Sequence, residues 1–506
     1  MANKPTLLSV LDQISSAQVE AGRENIPVGP LRLDSRQIQP GDTFVAVAGY
    51  SNDGRIYIPV AIQQQAALIF AEANRNEEFQ QIFADIAQDK IIWIANLRDQ
   101  VSRIAANYYA DPSEQLTNIA VTGTNGKTSV SYLIAKTLQK LNFECYLMGT
   151  LGIGCCGNLR QSSNTTADAI TLQAVLREAL DCGAQFSSME ISSHGIDQNR
   201  ALAIKLNTAI FTNLTRDHLD YHGNMENYGE AKRKLFLQSG LINAVLNMDD
   251  RFGRRLANDD AISATKWLVT TKLPTSGSNL NHWIWAEDVN YSLRGIHANI
   301  YTPWGSGKLD SPLIGQFNLS NLLLVIAALG SILKDLSPIL SALKNVSAAV
   351  GRMQTLGNDK TPMAVVDYAH TPDALDKALT AIREHCVGTI WCVFGCGGDR
   401  DTGKRSLMAQ VAEKLANRVI VTLDNPRTED PDNVRKDIFS GFKNPDKIKY
   451  IESRKEAIEA ALAAAQPNDV VLVAGKGHED YQIVGKEKLY HSDRQICEDA
   501  LARYAT

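Results

Sequence analysis

The chain has 506 residues, 44% hydrophobic and 21% charged, which places it among soluble multidomain proteins and excludes a disordered one. Its 51 Lys and Arg against 56 Asp and Glu give a formal net charge of −5, so no nucleic-acid partner is expected, since such binders carry a basic excess. The eight cysteines (Cys145, Cys155, Cys156, Cys182, Cys386, Cys392, Cys396, Cys497) make no CxxC pair, Met1–Val10 does not read as a secretory signal, and the longest apolar run, Leu322–Leu333, falls short of the ~20 residues of a membrane span; no structural zinc, no membrane insertion and a cytoplasmic location are expected.

Three stretches separate by pattern, 1–112, 113–349 and 350–506. The first has short strand-like runs at Thr43–Val47, Ala67–Phe70 and Ile91–Ile94, and ends at the connector Ala110-Asp111-Pro112-Ser113-Glu114, where Pro and small polar residues interrupt both periods. The second opens with the strand-like run Leu116–Val121, followed after a polar loop by a helical pattern with Val130, Leu133, Ile134, Leu138 and Leu141 on one face. Further strands are expected at Phe186–Met189, Thr208–Phe211 and Ala244–Leu246, a buried helix within Gly315–Leu333, and a second connector at Gly351-Arg352. In the third, Ala364–Val366, Thr389–Phe394, Val419–Leu423 and Val470–Val473 alternate with helical segments, the rhythm of a doubly wound parallel sheet. Each of these strands runs into a polar loop at its carboxyl end, where such folds bind ligands.

The loop after Leu116–Val121 reads Gly123-Thr124-Asn125-Gly126-Lys127-Thr128-Ser129. Between a strand and a helix, free backbone N–H groups and the positive helix end cradle an anion. Lys127 is expected to reach the terminal phosphates of a nucleotide and the Thr128 hydroxyl to meet Mg2+. The GxxxxGK[ST] spacing is not kept, because its first glycine falls at Val121, and a bare glycine turn beside a lysine is the plainer alternative. Glu190, after Phe186–Met189, is a carboxylate at a strand end and a candidate metal ligand. Asp217, His218, Asp220 and His222 read equally as a transition-metal cluster or as a solvated loop, and Lys232 beside Arg233 and Lys234 as a surface helical lysine.

Gly-Thr-Asn-Gly-Lys-Thr after a strand resembles the ATP loop of the Mur ligases, a family that includes the folylpolyglutamate synthetases, and the resemblance runs over nearly the whole chain. It implies three α/β domains: an N-terminal uridine-nucleotide domain (1–112), a central P-loop ATPase-like parallel sheet (113–349) and a C-terminal Rossmann-like domain (350–506). It implies that His218 binds a second Mg2+ and that Lys232 carries a carbamate formed with CO2. By the same resemblance Asn318, Asn321, Arg352 and Asp367 lie near ATP. Leu33, Ser35 and the segment Tyr50, Ser51, Asn52 meet the uridine nucleotide, although that segment departs from the family's His-Gln-Ala. Asn164, Thr165, Thr166, Ser192, Gln198 and Arg200 hold a muramoyl-dipeptide.

The loop Asp424-Asn425-Pro426-Arg427 follows a buried strand; Pro426 stiffens it and Arg427 offers a planar fork for a carboxylate. Arg400 offers a second fork, Gly475 a close backbone approach, and Glu479 an anion for an ammonium. Two guanidiniums and a carboxylate suit a zwitterion with charges at its far end. In the resembled family Asn-Pro-Arg marks the members that add meso-diaminopimelate to UDP-N-acetylmuramoyl-L-alanyl-D-glutamate, and a monomer with ATP and two Mg2+ sites is expected. The competing expectations are a lysine-adding member, a folylpolyglutamate synthetase, and a P-loop regulatory ATPase without ligase chemistry.

Overall fold

A computed structural model of the chain describes residues 4–49, 52–73, 88–162, 164–274, 280–358 and 360–504. It divides into two compact units, Met1–Trp267 and Leu268–Thr506, so the expected boundaries after 112 and 349 both fall inside units.

The first unit holds two sheets. In the N-terminal one Leu31–Arg32, Thr43–Ala46, Leu68–Glu72 and Ile91–Ile94 lie parallel in that spatial order, and Ala17–Gln18 closes the far edge antiparallel. The last three of the parallel strands are buried along their whole length, which is why they read as unbroken apolar runs rather than alternating ones. Glu72, at the end of its strand, accepts the N–H groups of Asn96 and Leu97 at 3.0 and 2.8 Å and so caps the helix Leu97–Tyr108 from another element.

The second sheet of this unit runs, in space, Asn243–Asn247, Thr208–Phe211, Thr117–Thr122, Phe186–Glu190 and Cys145–Gly149, all parallel. Two short antiparallel strands, Gly152–Cys155 and Asn158–Arg160, extend its edge. Thr117–Thr122 is flanked by strands that come later in the chain on both sides, so the crevice at its carboxyl end is the natural ligand site. The helix Lys127–Lys140 starts there and buries Val130, Leu133, Ile134 and Leu138, the face expected from its periodicity.

The second unit begins with an antiparallel meander, Trp283–Ser292, Gly295–Thr302 and Gly305–Ser311, which the sequence reading did not foresee. The helix Gln316–Leu333 follows; it is long and apolar enough to cross a bilayer, but 72% of it is buried inside the protein, as a core helix is.

The C-terminal sheet has the spatial order Gln354–Leu356, Met363–Asp367, Val470–Ala474, Ile390–Phe394, Arg418–Val421 and Lys449–Tyr450, parallel except at its first edge. Apolar clusters cover both faces, one around Leu375, Leu379, Ile382 and Met408 and the other around Ile458, Leu462, Cys497 and Leu501, so the sheet is doubly wound as expected. The strand expected to end at Leu423 stops at Val421. All eight cysteines are free thiols.

An ion pair between the starts of the helices Arg454–Ala464 and Asp493–Tyr504 is wholly buried beside this sheet: Arg454 donates to both carboxylate oxygens of Asp493 at 2.8 and 2.7 Å and to Ala474 O at 2.9 Å. Burial opposes the Asp493 charge, yet Arg454 and His491 hold its carboxyl far below the usual range. Arg454→Leu strands that charge and is expected to cost about 3–5 kcal/mol, read as a large fall in the thermal midpoint. Because the folded carboxyl has the lower pKa, the pair's stabilisation is complete above the unfolded value of about 4 and is lost as pH falls toward the folded one; a variant equally sensitive to acid would contradict this.

Candidate active site

In the first unit the candidate phosphate loop lies between the strand Thr117–Thr122 and the helix Lys127–Lys140. Gly123 (φ +148°) leaves the strand and Gly126 (φ +86°) caps the helix, both in backbone regions that favour glycine. A Cβ on Gly123 would stand 1.9 Å from Thr212 Oγ1, so the close approach also forbids a side chain. The loop after Thr208–Phe211 clamps it: Thr124 N donates to Asn213 O (2.8 Å), Asn125 N to Asn213 Oδ1 (3.0 Å), and Thr215 N to Thr124 Oγ1 (3.0 Å). Ser129, two residues into the helix, is half-buried.

The groups picked out by motif converge here. Thr128 Oγ1 donates to Glu190 Oε2 at 2.8 Å, and Thr150 N donates to Glu190 Oε1 at 2.7 Å. Lys127 Nζ donates to Gly123 O and Thr124 O, both at 2.9 Å. Lys232 is no surface lysine: it is 1% exposed, its Nζ donates to the same Gly123 O at 3.0 Å, and it lies 4.4 Å from the Tyr228 ring centroid. Burial first, and then the neighbouring Lys127 charge, push the Lys232 ammonium well below its ordinary pKa, with Asp217 opposing.

His218 is exposed, its ring 4.9 Å from that of His194 and 6.0 Å from that of Tyr228. His222 is buried, with Nε2 3.0 Å from Ser193 Oγ. Among the described residues no three His, Cys, Asp or Glu converge as a metal site, so Asp217, His218, Asp220 and His222 do not form a transition-metal cluster. A hydroxyl and a carboxylate oxygen in contact at a phosphate loop instead fit Mg2+, which keeps waters and is shared with substrate phosphates.

Beside Glu190 lie the expected dipeptide residues. Thr165 Oγ1 stands 3.1 Å from Thr150 Oγ1, Thr166 Oγ1 donates to Glu190 O (2.9 Å), and Ser192 N donates to Thr166 Oγ1 (2.9 Å). Arg200 donates to Thr166 O at 2.6 Å and to Gln198 Oε1 at 3.0 and 2.6 Å, and Asn164 is exposed. Leu33 and Ser35 follow the strand Leu31–Arg32, Leu33 exposed and Ser35 buried in a single helical turn capped by Asp34. Asn52 is exposed; Tyr50 and Ser51 lie outside the described residues.

In the second unit Asn318 and Asn321 are both buried, one donating to Ile314 O (2.7 Å) and the other to Asn318 Oδ1 (3.1 Å). Arg352 lies 5.0 Å from the Tyr368 ring centroid, and its buried Nε has no hydrogen-bond partner among the described residues. Asp367 accepts Met353 N at 2.7 Å; burial raises its carboxyl and the Arg352 charge opposes that.

The amino-acid candidates gather at the carboxyl ends of three adjacent strands. Asn425 O accepts Gly398 N (2.9 Å), Asn425 Nδ2 donates to Glu479 Oε2 (3.3 Å), and Arg427 Nη1 donates to Gly398 O (2.8 Å). Asp424 and Pro426 are buried, and a Cβ on Gly475 (φ +122°) would meet Asp424 Oδ2 at 2.7 Å. Arg400 is exposed; a Cβ on Gly397 would stand 3.8 Å from its Cγ and 2.8 Å from Arg427 Nη1, so the two guanidinium side chains flank one glycine.

Sequence reasoning missed three supports. Lys476 is wholly buried among Asp424, Asn425 and Glu479. The hairpin Tyr481–Val484 with Glu487–Tyr490 presents Ile483, whose N–H donates to Asn425 Oδ1 (2.9 Å) and whose carbonyl accepts Arg427 N (3.1 Å). Thr150, just past the strand Cys145–Gly149, holds Glu190 through its N–H and its hydroxyl.

Comparisons with known proteins extend the picture. The model of the Mur ligase family catalytic domain matches residues 28–109, that of the Mur ligase middle domain 121–329, and that of the Mur ligase glutamate ligase domain 351–477. A protein of Pseudomonas aeruginosa is 47% identical over 474 residues, covering 94% of this chain and 95% of its own, and one of Haemophilus influenzae is 43% identical over 490 residues, covering 95% and 97%. Both are named UDP-N-acetylmuramoyl-L-alanyl-D-glutamate--2,6-diaminopimelate ligase. A solved structure of a protein with that name superposes with a TM-score of 0.74 at 34% identity, over 98% of this chain and 99% of the other. Three family models laid end to end, on a phosphate loop backed by a buried lysine, leave one assignment: the chain belongs to the Mur ligase family.

Proposed function

We propose that the protein is the ATP-dependent ligase that adds meso-2,6-diaminopimelate to UDP-N-acetylmuramoyl-L-alanyl-D-glutamate, a step of peptidoglycan precursor synthesis. The observation that carries the reading is the amino-acid cluster, where Arg400 and Arg427 flank Gly397 while Asn425 and Glu479 face each other across the next strand end, in a chain similar over nearly its whole length to ligases of that name. The γ-carboxylate of glutamate attacks the γ-phosphorus of ATP and releases ADP, leaving an acyl phosphate. The neutral amine of diaminopimelate adds to that carbonyl, the tetrahedral intermediate collapses, and phosphate leaves with the amide formed. No side chain is the nucleophile, so the protein's contribution is positioning and charge stabilisation.

In this reading Gly123–Ser129 wrap the triphosphate, Lys127 meets its terminal oxygens, and Asn318, Asn321, Arg352 and Asp367 face the rest of the nucleotide. Thr128 and Glu190 would hold one Mg2+, and His218 with the Lys232 carbamate a second; such ions screen the anionic carboxylate from the anionic phosphate. Leu33, Ser35 and the Tyr50–Asn52 segment meet the uridine nucleotide, and Asn164, Thr165, Thr166, Ser192, Gln198 and Arg200 the muramoyl-dipeptide. The functional divisions are then 1–112, 113–349 and 350–506, in a cytoplasmic monomer that does not insert into membranes.

Incubating the protein with ATP, the UDP-dipeptide and one amino acid at a time tests the whole. ADP release is expected with meso-diaminopimelate and little with L-lysine. Equal turnover of the two removes the specificity, folate-dependent release points to the folate-lengthening rival, and release without any acceptor to a regulatory ATPase.

A further inference from the structure

Lys476 has no part in the reaction as described, yet it is a fully enclosed cation at the amino-acid site. Its side chain is 0% exposed. Its Nζ donates to Asn425 Oδ1 at 2.9 Å and to Glu479 Oε2 at 3.3 Å, stands 3.9 Å from Asp424 Oδ1, and lies 5.6 Å from the Tyr481 ring centroid. A buried ammonium is costly unless it is ion-paired and hydrogen-bonded, and here it is both.

Two consequences follow from that position. The first is orientation. Asn425 Oδ1 accepts from both Lys476 Nζ and Ile483 N, so its Nδ2 faces Glu479 Oε2 at 3.3 Å; the amide has one orientation, and Glu479 Oε2 in turn accepts from Lys476 Nζ and Asn425 Nδ2. The second is charge. Lys476 adds a fixed positive charge to those of Arg400 and Arg427, beside the carboxylates of Asp424 and Glu479; Arg405, also buried against Gly397 O, is already paired with Glu429 and Asp437. An amino acid whose far end carries an ammonium and a carboxylate together is net neutral there, whereas one ending in a bare ammonium is a cation. Every positive charge fixed in the pocket disfavours the second relative to the first.

We propose that Lys476 is a positioning and specificity-determining residue: its buried ammonium sets Asn425 and Glu479 for the incoming amino acid and biases the pocket toward a side chain ending in an ammonium–carboxylate pair over one ending in an ammonium alone. This rests on the amino-acid reading of the site given above. It differs from the role of Arg427, which meets the ligand's carboxylate, because Lys476 is shielded by its own partners and acts through them.

The test compares wild type with Lys476→Met, similar in length but uncharged, and Lys476→Arg, which keeps the charge. KM and kcat are measured for meso-diaminopimelate and for L-lysine, and KM for ATP and the UDP-dipeptide. Loss of one fixed charge in a partly desolvated pocket is expected to raise KM for diaminopimelate about tenfold or more in Lys476→Met and to lower the diaminopimelate-to-lysine ratio of kcat/KM by at least about tenfold. Lys476→Arg is expected to recover part of that ratio, and KM for ATP to stay near wild type. If Lys476→Met melts without a cooperative transition, Lys476→Gln, which keeps a donor for Asn425 Oδ1 and drops the charge, serves as the uncharged variant. An unchanged ratio in a folded uncharged variant overturns the proposal, as does a loss shared equally by both amino acids and ATP, which marks a structural role only. A wild-type enzyme that does not use diaminopimelate brings down the underlying reading itself, a result distinguishable from an enzyme that uses it with or without Lys476.

Discussion

Lys232→Ala is expected to remove most of the ligase activity, by about a hundredfold or more, while leaving the fold intact. Lys127 Nζ and Lys232 Nζ both donate to Gly123 O, at 2.9 and 3.0 Å, so two ammonium groups crowd one carbonyl beneath the phosphate loop. Such a pair relieves its repulsion when one member loses its proton, and Lys232, the more deeply buried, is the one driven down. A neutral amine adds to CO2: the new N–C bond forms from the nitrogen lone pair, a C=O π pair moves to oxygen, and the amine gives up a proton. The cation becomes an anion, and repulsion from Lys127 becomes attraction. Three measurements bear on this. Stripping CO2 and bicarbonate from the assay should lower wild-type activity, Lys232→Arg should be as inactive as alanine because a guanidinium stays charged, and a small carboxylate such as acetate should restore part of the Lys232→Ala activity. Full activity in Lys232→Ala together with indifference to CO2 removes the carbamate from the scheme.

The sequence carried the parallel sheets well, and for a physical reason: strands covered on both faces are continuous apolar runs, so Ile91–Ile94 and Thr208–Phe211 are read to the residue. The meander Trp283–Ser311 was not legible because its strands are only partly buried and their apolar positions break at the Glu287–Asn290 bulge. The hairpin Tyr481–Tyr490 is harder still; it is largely exposed, and its value lies in backbone groups, Ile483 N and O, that no side-chain pattern reports.

Site residues divide along the same line. Candidates in a strand-end motif, such as Thr128, Glu190 and Arg427, are visible because position in the loop sets their direction. Lys232 and Lys476 are set apart by burial, and nothing in Lys232-Arg233-Lys234 or Gly475-Lys476-Gly477 distinguishes an enclosed lysine from a solvated one. Resemblance to the family singled out the first. No motif pointed to the second, which emerged only from its three partners. Asn318 and Asn321 are placed near ATP by resemblance alone, and the structure adds what no motif carried: both amides are buried, one bonded to Ile314 O and the other to Asn318 Oδ1.

Arg427→Ala is expected to raise KM for meso-diaminopimelate about 10- to 150-fold, the worth of one charge-assisted hydrogen bond of ~1.5–3 kcal/mol, with KM for ATP little changed. The geometry explains why the loss should be specific. Arg427 sits at φ +54°, a conformation a non-glycine residue keeps only when its surroundings hold it, and the hold is visible: its N–H donates to Ile483 O at 3.1 Å and its carbonyl accepts Gly485 N at 2.7 Å. Gly398 O takes one guanidinium N–H at 2.8 Å and aims the fork, while the neighbouring Gly397 leaves room that a Cβ would deny. The side chain is therefore oriented before the ligand arrives, and little entropy is lost when a carboxylate binds. Lysine, which lacks that second carboxylate, gains nothing from Arg427, so the alanine variant should lose preference chiefly through diaminopimelate. Arg427→Lys should not restore it, because a single ammonium cannot engage both the Gly398 carbonyl and a carboxylate with the planar geometry of the fork. Steady-state kinetics on the three enzymes with both amino acids decide the matter, and an unaltered KM for diaminopimelate in Arg427→Ala would falsify the contact.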